Sequence, residues 1–230
     1  RRSVDTGLHP GLEVRTVTAG MEVILVALIL SNFILLGSSR LGSCIRIAAL
    51  QGVIVGLLPL ATAEAGLSVR IALLGVIVIV LKGFVFPHLL NRAIRESDTS
   101  REVKPFVGYT HSLIFGVLAL WASFWLDGRL DLPHHAASDI VIPVSFSLMM
   151  TGLFLVVARR TAVNQVLGYL VLENGIYAFS LAMVRDVPFL VEIGVLMDMF
   201  VAVFVMGIAI YRINSEFDHI DSDRLTKLRG

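Results

Sequence analysis

The sequence has little charge and almost no cysteine. Charged residues make up 16% of the 230 residues, and Cys44 is the single cysteine. One cysteine excludes an internal disulfide and a cysteine-based metal cluster. The net charge of +1 gives no electrostatic reason to expect nucleic acid as a partner. What remains is apolar, because 56% of the residues are hydrophobic, more than the roughly 45–50% found in soluble domains.

The apolar runs predict an all-α fold, a polytopic transmembrane helix bundle. A spanning helix needs about 20 mostly apolar residues, so the chain has room for about seven spans. The candidate spans are Glu22–Leu36, Ile47–Ala61, Ile71–Leu89, Val107–Leu126, Ile140–Val157, Gln165–Val184 and Phe189–Tyr211. A cleavable signal peptide is disfavoured because no A-x-A-like site follows Leu36.

These spans divide the chain into four expected regions. Residues 1–20 form a polar N-terminal extension, and residues 21–139 form a four-helix membrane region. Residues 140–211 form a three-helix membrane region, and residues 212–230 form a polar tail.

The distribution of Lys and Arg over the connections predicts the orientation. One side has twelve basic residues: Arg40, Arg46, Arg92, Arg95, Arg101, Lys104, Arg159, Arg160, Arg212, Arg224, Lys227 and Arg229. The other side has Arg70, Arg129 and Arg185, joined by three more if the N-terminus is counted. Because cytoplasmic loops are enriched in Lys and Arg, the C-terminus is expected in the cytoplasm.

Lys82 is the one basic residue near the middle of a predicted span. An unpaired ammonium at that depth costs at least ~2.5–3.5 kcal/mol, so something must neutralise or hydrate it. The alternative is that the side chain reaches the headgroups, but about seven helical residues, roughly 10 Å, separate it from the basic end at Arg92.

Two carboxylates are predicted at the same depth as each other, Glu173 in the sixth span and Asp198 in the seventh. Burial disfavours the charged form of a carboxylate or an ammonium, so such groups can exchange protons. The alternative is a static ion pair that locks helices together, although buried pairs rarely improve on apolar packing. We therefore predict that Glu173, Asp198 and Lys82 take part in proton or ion transfer.

Three further polar residues are auxiliary candidates. Glu192 lies one turn inside the seventh span, Gln51 lies near the middle of the second, and Asn174 follows Glu173. Each could extend a polar path across the bundle. Alternatively, Glu192 is interfacial and the two amides form interhelical hydrogen bonds worth about 1 kcal/mol.

Glycine and proline shape the predicted spans. Gly168 and Gly175 flank Glu173 and permit close helix approach. Pro87 and Pro143 can kink their spans and free backbone carbonyls for water.

Catalytic signatures are missing from the sequence. It has no Walker loop, GxSxG elbow or HExxH helix. The adjacent His134 and His135 lack the spacing of helical metal ligands, so no metal site is expected. The chain is therefore predicted not to be an enzyme by itself.

Two segments resemble a known membrane subunit, hydrogenase-4 component E. They are Leu167-Gly-Tyr-Leu-Val-Leu-Glu173-Asn-Gly175 and Leu190-Val-Glu192-Ile-Gly194-Val-Leu-Met-Asp198. The tail from Asp221 to Gly230 and the stretch from Lys82 to Pro87 are similar to that family as well. The resemblance covers residues 21–230.

The last three spans also resemble the small K subunit of complex I. The shared pattern is a helix, the Arg159-Arg160 turn, a helix with a buried glutamate and a second helix with a buried acid. This similarity places Glu173 at the first buried acid and Asp198 near the second. Asp198 departs from the pattern because it is one methylene shorter than glutamate and lies closer to Glu173 in sequence.

The resemblance implies a non-catalytic membrane-arm subunit of a hydrogenase-type complex in a bacterial or archaeal plasma membrane. The implied partners are antiporter-like and quinone-site-like membrane subunits and a cytoplasmic hydrogenase-type module. A nickel-iron centre and iron-sulfur clusters would lie in those partners, with no cofactor in this chain. Glu173 and Asp198 would exchange a proton, with Lys82 setting their proton affinities.

Two other functions stay open. The chain could be an independent secondary transporter or ion channel, although no internal repeat relates its halves. It could also be a structural scaffold, which would not require three titratable groups at mid-bilayer depth.

Overall fold

The computed structural model describes residues 10–62, 69–96, 106–130, 139–159, 161–183 and 194. This part of the chain is almost entirely helical, and no β-strand occurs in it. Seven α-helices occur in it: α1 (Pro10–Gly37), α2 (Leu41–Thr62), α3 (Val69–Val80), α4 (Phe86–Glu96), α5 (Tyr109–Asp127), α6 (Val141–Ala158) and α7 (Ala162–Met183). A π-helical turn, Leu81–Val85, joins α3 to α4.

The predicted transmembrane bundle is confirmed. Five stretches are long and apolar enough to cross a membrane: Gly20–Gly37, Leu41–Leu58, Gly75–Arg92, Tyr109–Asp127 and Val141–Ala158. The sixth predicted span, Gln165–Val184, corresponds to α7, which packs against α2 and α6. The seventh, Phe189–Tyr211, lies outside the described residues.

Helix α1 begins at Pro10, well before the predicted span start at Glu22. Proline is tolerated in the first turn of a helix because the N–H groups there have no intrahelical acceptor. The helix continues without a break through residue 20. The apolar run that predicted the first span therefore covers only the C-terminal part of α1.

Pro87 and Pro143 have different effects on their helices. Pro143 is the third residue of α6, in the first turn, where a missing N–H breaks no intrahelical bond. The prediction that Pro143 could kink its span is therefore wrong. Pro87 lies just after the π-helical turn, in which the Phe86 N–H donates to the Leu81 carbonyl five residues before it.

Several helix ends meet at one end of the bundle, which we call the arginine-rich end. The Phe106 N–H, just before α5, donates to the Ala158 carbonyl at the end of α6, and α1 ends three residues before α2 begins. Four exposed arginines among the described residues lie at this end: Arg40, Arg46, Arg92 and Arg95.

Arg159 also lies at the arginine-rich end but is only 2% exposed. Its Nη2 donates to the Leu36 carbonyl in the last turn of α1 at 2.9 Å, and its guanidinium lies 4.7 Å from the centre of the Tyr109 ring. Arg159 is therefore buried although it lies at the end of a span, because the end of α1 and an aromatic face take the place of water around it.

The closest helix pair is α6 and α7. A Cβ built at Gly168 would lie 2.7 Å from the Val156 nitrogen, and one at Gly175 would lie 2.7 Å from the Met149 nitrogen. The predicted role of these two glycines in close helix approach is confirmed. Gly152 of α6 also permits this close approach, since a Cβ built there would collide with the Leu172 backbone of α7.

Candidate functional site

Lys82 is the centre of a buried polar cluster. It occupies the π-helical turn and is 6% exposed. Its Nζ lies 3.4 Å from Oε1 of Glu173 and donates a hydrogen bond to Oδ1 of Asn174 at 3.0 Å. Lys82 thus forms an ion pair with Glu173 of α7, and both side chains are almost fully buried in the bundle.

Helix α2 makes room for the lysine with a glycine. A Cβ built at Gly52 would lie 2.5 Å from the Lys82 Cβ, closer than real side-chain atoms approach. Any larger residue at position 52 would push the π-helical turn away from α2. Gly83 also lies close to α2, since a Cβ built there would lie 2.8 Å from Cγ2 of Val53.

Glu173 is 7% exposed, and neither of its carboxylate oxygens accepts a hydrogen bond from the described residues. Among the described residues, its partner of opposite charge is the Lys82 ammonium, 3.4 Å from Oε1. A Cβ built at Gly194 would lie 3.9 Å from Glu173 Oε1. Residue 194 therefore lies against the carboxylate.

Asp198 and Glu192, the other predicted acids, lie outside the described residues. Their part in ion transfer stays a prediction. Of the six candidates, the structure brings together Lys82, Glu173 and Asn174.

Gln51 belongs to a second polar cluster, directed at α1 rather than at Lys82. Its Nε2 donates to Oγ of Ser31 at 2.7 Å and to Oδ1 of Asn32 at 3.0 Å. Gln51 is 0% exposed, and its Oε1 accepts no hydrogen bond from the described residues. This geometry matches the alternative stated for Gln51, an amide that hydrogen-bonds between helices.

Sequence reasoning missed Ser31, Asn32 and Tyr177. The adjacent polar pair Ser31-Asn32 inside the first apolar run was a visible signal, since polar residues within a span usually find partners. Tyr177 lies one turn after Glu173 on α7 and is 8% exposed. Its hydroxyl has no hydrogen-bond partner among the described residues.

The arrangement supports proton exchange more directly than metal binding. In the described part of the chain, no group of three or more His, Cys, Asp or Glu side chains is placed to hold a metal ion. An ammonium and a carboxylate 3.4 Å apart can exist as an ion pair or, after one proton moves, as a neutral amine and acid.

Comparison with known families gives a match for the C-terminal part of the chain. Residues 140–230 match the family model of NADH-ubiquinone/plastoquinone oxidoreductase chain 4L. The matched region contains Arg159, Glu173, Asn174, Glu192 and Asp198. The resemblance of the last three spans to the small complex I subunit is thereby confirmed.

Relatives cover more of the chain. It is 24% identical to hydrogenase-4 component E of Escherichia coli K12 over 151 residues, which is 66% of this chain and 70% of that protein. It is 29% identical to an uncharacterised protein of Mycobacterium tuberculosis over 203 residues, 88% of this chain and 92% of the relative. The predicted resemblance to component E is confirmed. No solved structure matches the chain.

Proposed function

We propose that the chain is a non-catalytic membrane-arm subunit of a complex I-related, hydrogenase-type oxidoreductase complex, in which it passes protons at mid-bilayer depth. The similarity of residues 140–230 to chain 4L and of a larger part to component E supports the assembly. The buried Lys82–Glu173 pair carries the proposal for proton transfer.

The proton step uses the two partners of this ion pair. Lys82 transfers a proton from Nζ to Oε1 of Glu173, which leaves a neutral amine and a neutral carboxylic acid. Asn174 Oδ1 accepts a hydrogen bond from Nζ and keeps the nitrogen in place in both states. The acid then gives up its proton and the amine takes up another, so one proton has crossed the pair.

Asp198 is the proposed acceptor of the proton from Glu173. Gly194 lies against Glu173 Oε1, and Asp198 follows Gly194 by four residues. On the predicted span Phe189–Tyr211, residues four apart share one helix face. This placement supports a proton path from Glu173 to Asp198, and partner subunits would continue it.

The assembly is tested by purifying the tagged chain from its native membrane in a mild detergent. We expect co-purification with antiporter-like and quinone-site-like membrane subunits and with a module that contains a nickel-iron centre and iron-sulfur clusters. Recovery of the chain alone, as a stable monomer or homo-oligomer, would contradict the proposal and favour an independent transporter or channel.

The proton step is tested with Glu173→Gln in the assembled complex, reconstituted into sealed vesicles. Because glutamine cannot carry the proton, we expect the rate of coupled proton movement to fall at least about a hundredfold, the lower end of what a positioned proton-transfer group contributes. Glu173→Asp, which keeps a carboxylate one methylene shorter, is the matched control and should retain part of the movement. Wild-type proton movement with glutamine would refute the step.

A further inference from the structure

Tyr177 has a buried hydroxyl for which the described residues offer no partner. The residue belongs to α7, its side chain is 8% exposed, and its hydroxyl forms no hydrogen bond within the described part of the chain. A buried hydroxyl without a partner is costly, and phenylalanine would fill the same space without that cost. Packing alone therefore does not explain the tyrosine.

Glu173 has the same unmet requirement one helical turn away. Neither of its carboxylate oxygens accepts a hydrogen bond from the described residues, and its contact with Lys82 is an ion pair at 3.4 Å. A carboxylate has about four lone-pair sites for hydrogen bonds. Tyr177 thus provides a donor, and Glu173 provides acceptors, on the same buried helix.

The geometry of a helix directs the tyrosine towards the carboxylate. Residues four apart lie on one helix face, with about 5–6 Å between their Cβ atoms. Long helical side chains point back towards the N-terminus, so that each covers the turn before its own Cα. For Tyr177 that turn contains Glu173 and Asn174. Because the hydroxyl and the carboxylate do not bond each other directly, a link between them must be small and must both accept and donate.

We propose that one buried water molecule links the Tyr177 hydroxyl to the Glu173 carboxyl group, and that Tyr177 is a positioning residue for the proton step. Water accepts a hydrogen bond from the hydroxyl and donates one to a carboxylate oxygen, so it satisfies both groups at once. Buried waters in proteins typically occupy such sites, between polar groups that have no other partner.

This inference rests on the proposed function for its purpose, because the water is the first acceptor of the proton that Glu173 gives up. The carboxylic O–H bond breaks, and a new O–H bond forms at the water. The water then releases one of its other protons to the next acceptor, proposed above to be Asp198, and becomes neutral again. The O–H bond of Tyr177 stays intact, since the hydroxyl only holds the water in place.

Tyr177→Phe tests the water site, because it removes the hydroxyl and keeps the ring. In the purified complex, infrared difference spectra between acidic and alkaline pH record the carbonyl stretch of protonated Glu173, and Glu173→Gln identifies this band by removing it. Hydrogen bonding to a carboxylic acid lowers its carbonyl frequency. We therefore expect the band at a higher frequency in Tyr177→Phe than in the wild type.

The same variant tests the positioning role in sealed vesicles. We expect the rate of coupled proton movement in Tyr177→Phe to fall by on the order of a hundredfold, the effect of misplacing a reacting group by about 1 Å. The subunit composition of the complex should match that of the wild type, so that the loss is not one of assembly.

Tyr169→Phe is the matched control. It makes the same chemical change on α7, one turn before Glu173. At that position the backward tilt of helical side chains points the ring away from the carboxylate. We expect its infrared band and its rate of proton movement to equal those of the wild type.

Three outcomes would overturn the inference. An unshifted band in Tyr177→Phe would show that the hydroxyl has a different partner. A shift of equal size in Tyr169→Phe would show that the band reports general packing rather than this contact. Wild-type proton movement in Tyr177→Phe, with movement lost in Glu173→Gln, would show that Tyr177 does not position the proton path.

The infrared band separates this inference from the proposed function. If the band shifts in Tyr177→Phe while Glu173→Gln moves protons normally, the water site exists and the proton step assigned to Glu173 is wrong. If Glu173→Gln stops proton movement while the band of Tyr177→Phe does not shift, the proton step stands and the water site is wrong.

Discussion

Lys82 and Glu173 are tolerated inside the bundle because each compensates the charge of the other. Their separation of 3.4 Å offsets part of the cost that an isolated charge would have in the membrane. Buried pairs of this kind are often no more stable than well-packed apolar residues. Stability alone is therefore a weak reason for the pair, which is an argument in favour of the proposed proton transfer.

Removing one partner should destabilise the folded chain more than removing both. Lys82→Met leaves the Glu173 carboxylate buried without a counter-charge, which is expected to cost about 3–5 kcal/mol in the free energy of unfolding. Lys82→Met combined with Glu173→Gln should recover most of that loss, because no unpaired charge remains. Thermal unfolding of the purified protein in detergent measures both variants.

The exposed Arg95 provides the control for this cycle, since Arg95→Met should change the unfolding temperature little. Equal losses in the single and the double variant would mean that the two side chains are not energetically coupled.

At the scale of helices, glycines position the candidate site. Gly168 and Gly175 lie on either side of Glu173 in sequence and bring α7 against the backbone of α6. Gly52 similarly brings α2 against the Lys82 side chain. Without a hydrophobic driving force between helices in lipid, such close packing is a principal source of helix association.

Gly175→Leu should separate α6 from α7 and disturb the neighbouring Glu173. A Cβ at this position would lie 2.8 Å from the Ser145 carbonyl oxygen, and backbone cannot move aside as a flexible side chain can. We expect a loss of at least about 1–3 kcal/mol, the usual cost of overpacking, measured by thermal unfolding. Gly42→Leu is the matched control, because nothing lies within 4 Å of its added Cβ.

The sequence predicted where the helices lie better than it predicted which side chains of different helices contact each other. Long apolar runs indicate spanning helices by themselves, and the glycines beside Glu173 indicated close approach. The π-helical turn and the choice of Ser31 and Asn32 as partners of Gln51 depend on how helices pack, which periodicity does not encode. The sequence left a direct contact between Lys82 and Glu173 as one of two alternatives. Positions near the middle of their spans indicate that the two charges lie at a similar depth, but they do not indicate which helices are neighbours.

At the scale of the whole molecule, Arg159 connects three helices through its side-chain contacts. It follows α6, donates to the last turn of α1 and lies over the Tyr109 ring at the start of α5. The helix C-terminus favours a positive charge, and the ring face favours a cation. The guanidinium can serve both because it is planar and has five donors.

Arg159→Lys should therefore fail to replace the arginine. A lysine keeps the charge but loses the planar group that stacks on Tyr109. We expect both Arg159→Lys and Arg159→Gln to lower the unfolding temperature of the purified protein, the glutamine variant more. Arg46→Lys, at an exposed position of the same end, is the control. A lysine variant as stable as the wild type would show that charge alone suffices.

The charges at the two ends of the bundle predict its orientation. Among the described residues, the arginine-rich end has the exposed Arg40, Arg46, Arg92 and Arg95, whereas Arg129 follows α5 at the other end. The positive-inside rule then predicts that the arginine-rich end faces the cytoplasm. A green fluorescent protein fused to the C-terminus should fluoresce, and alkaline phosphatase fused there should be inactive. The opposite pair of results would reverse the predicted orientation of the bundle.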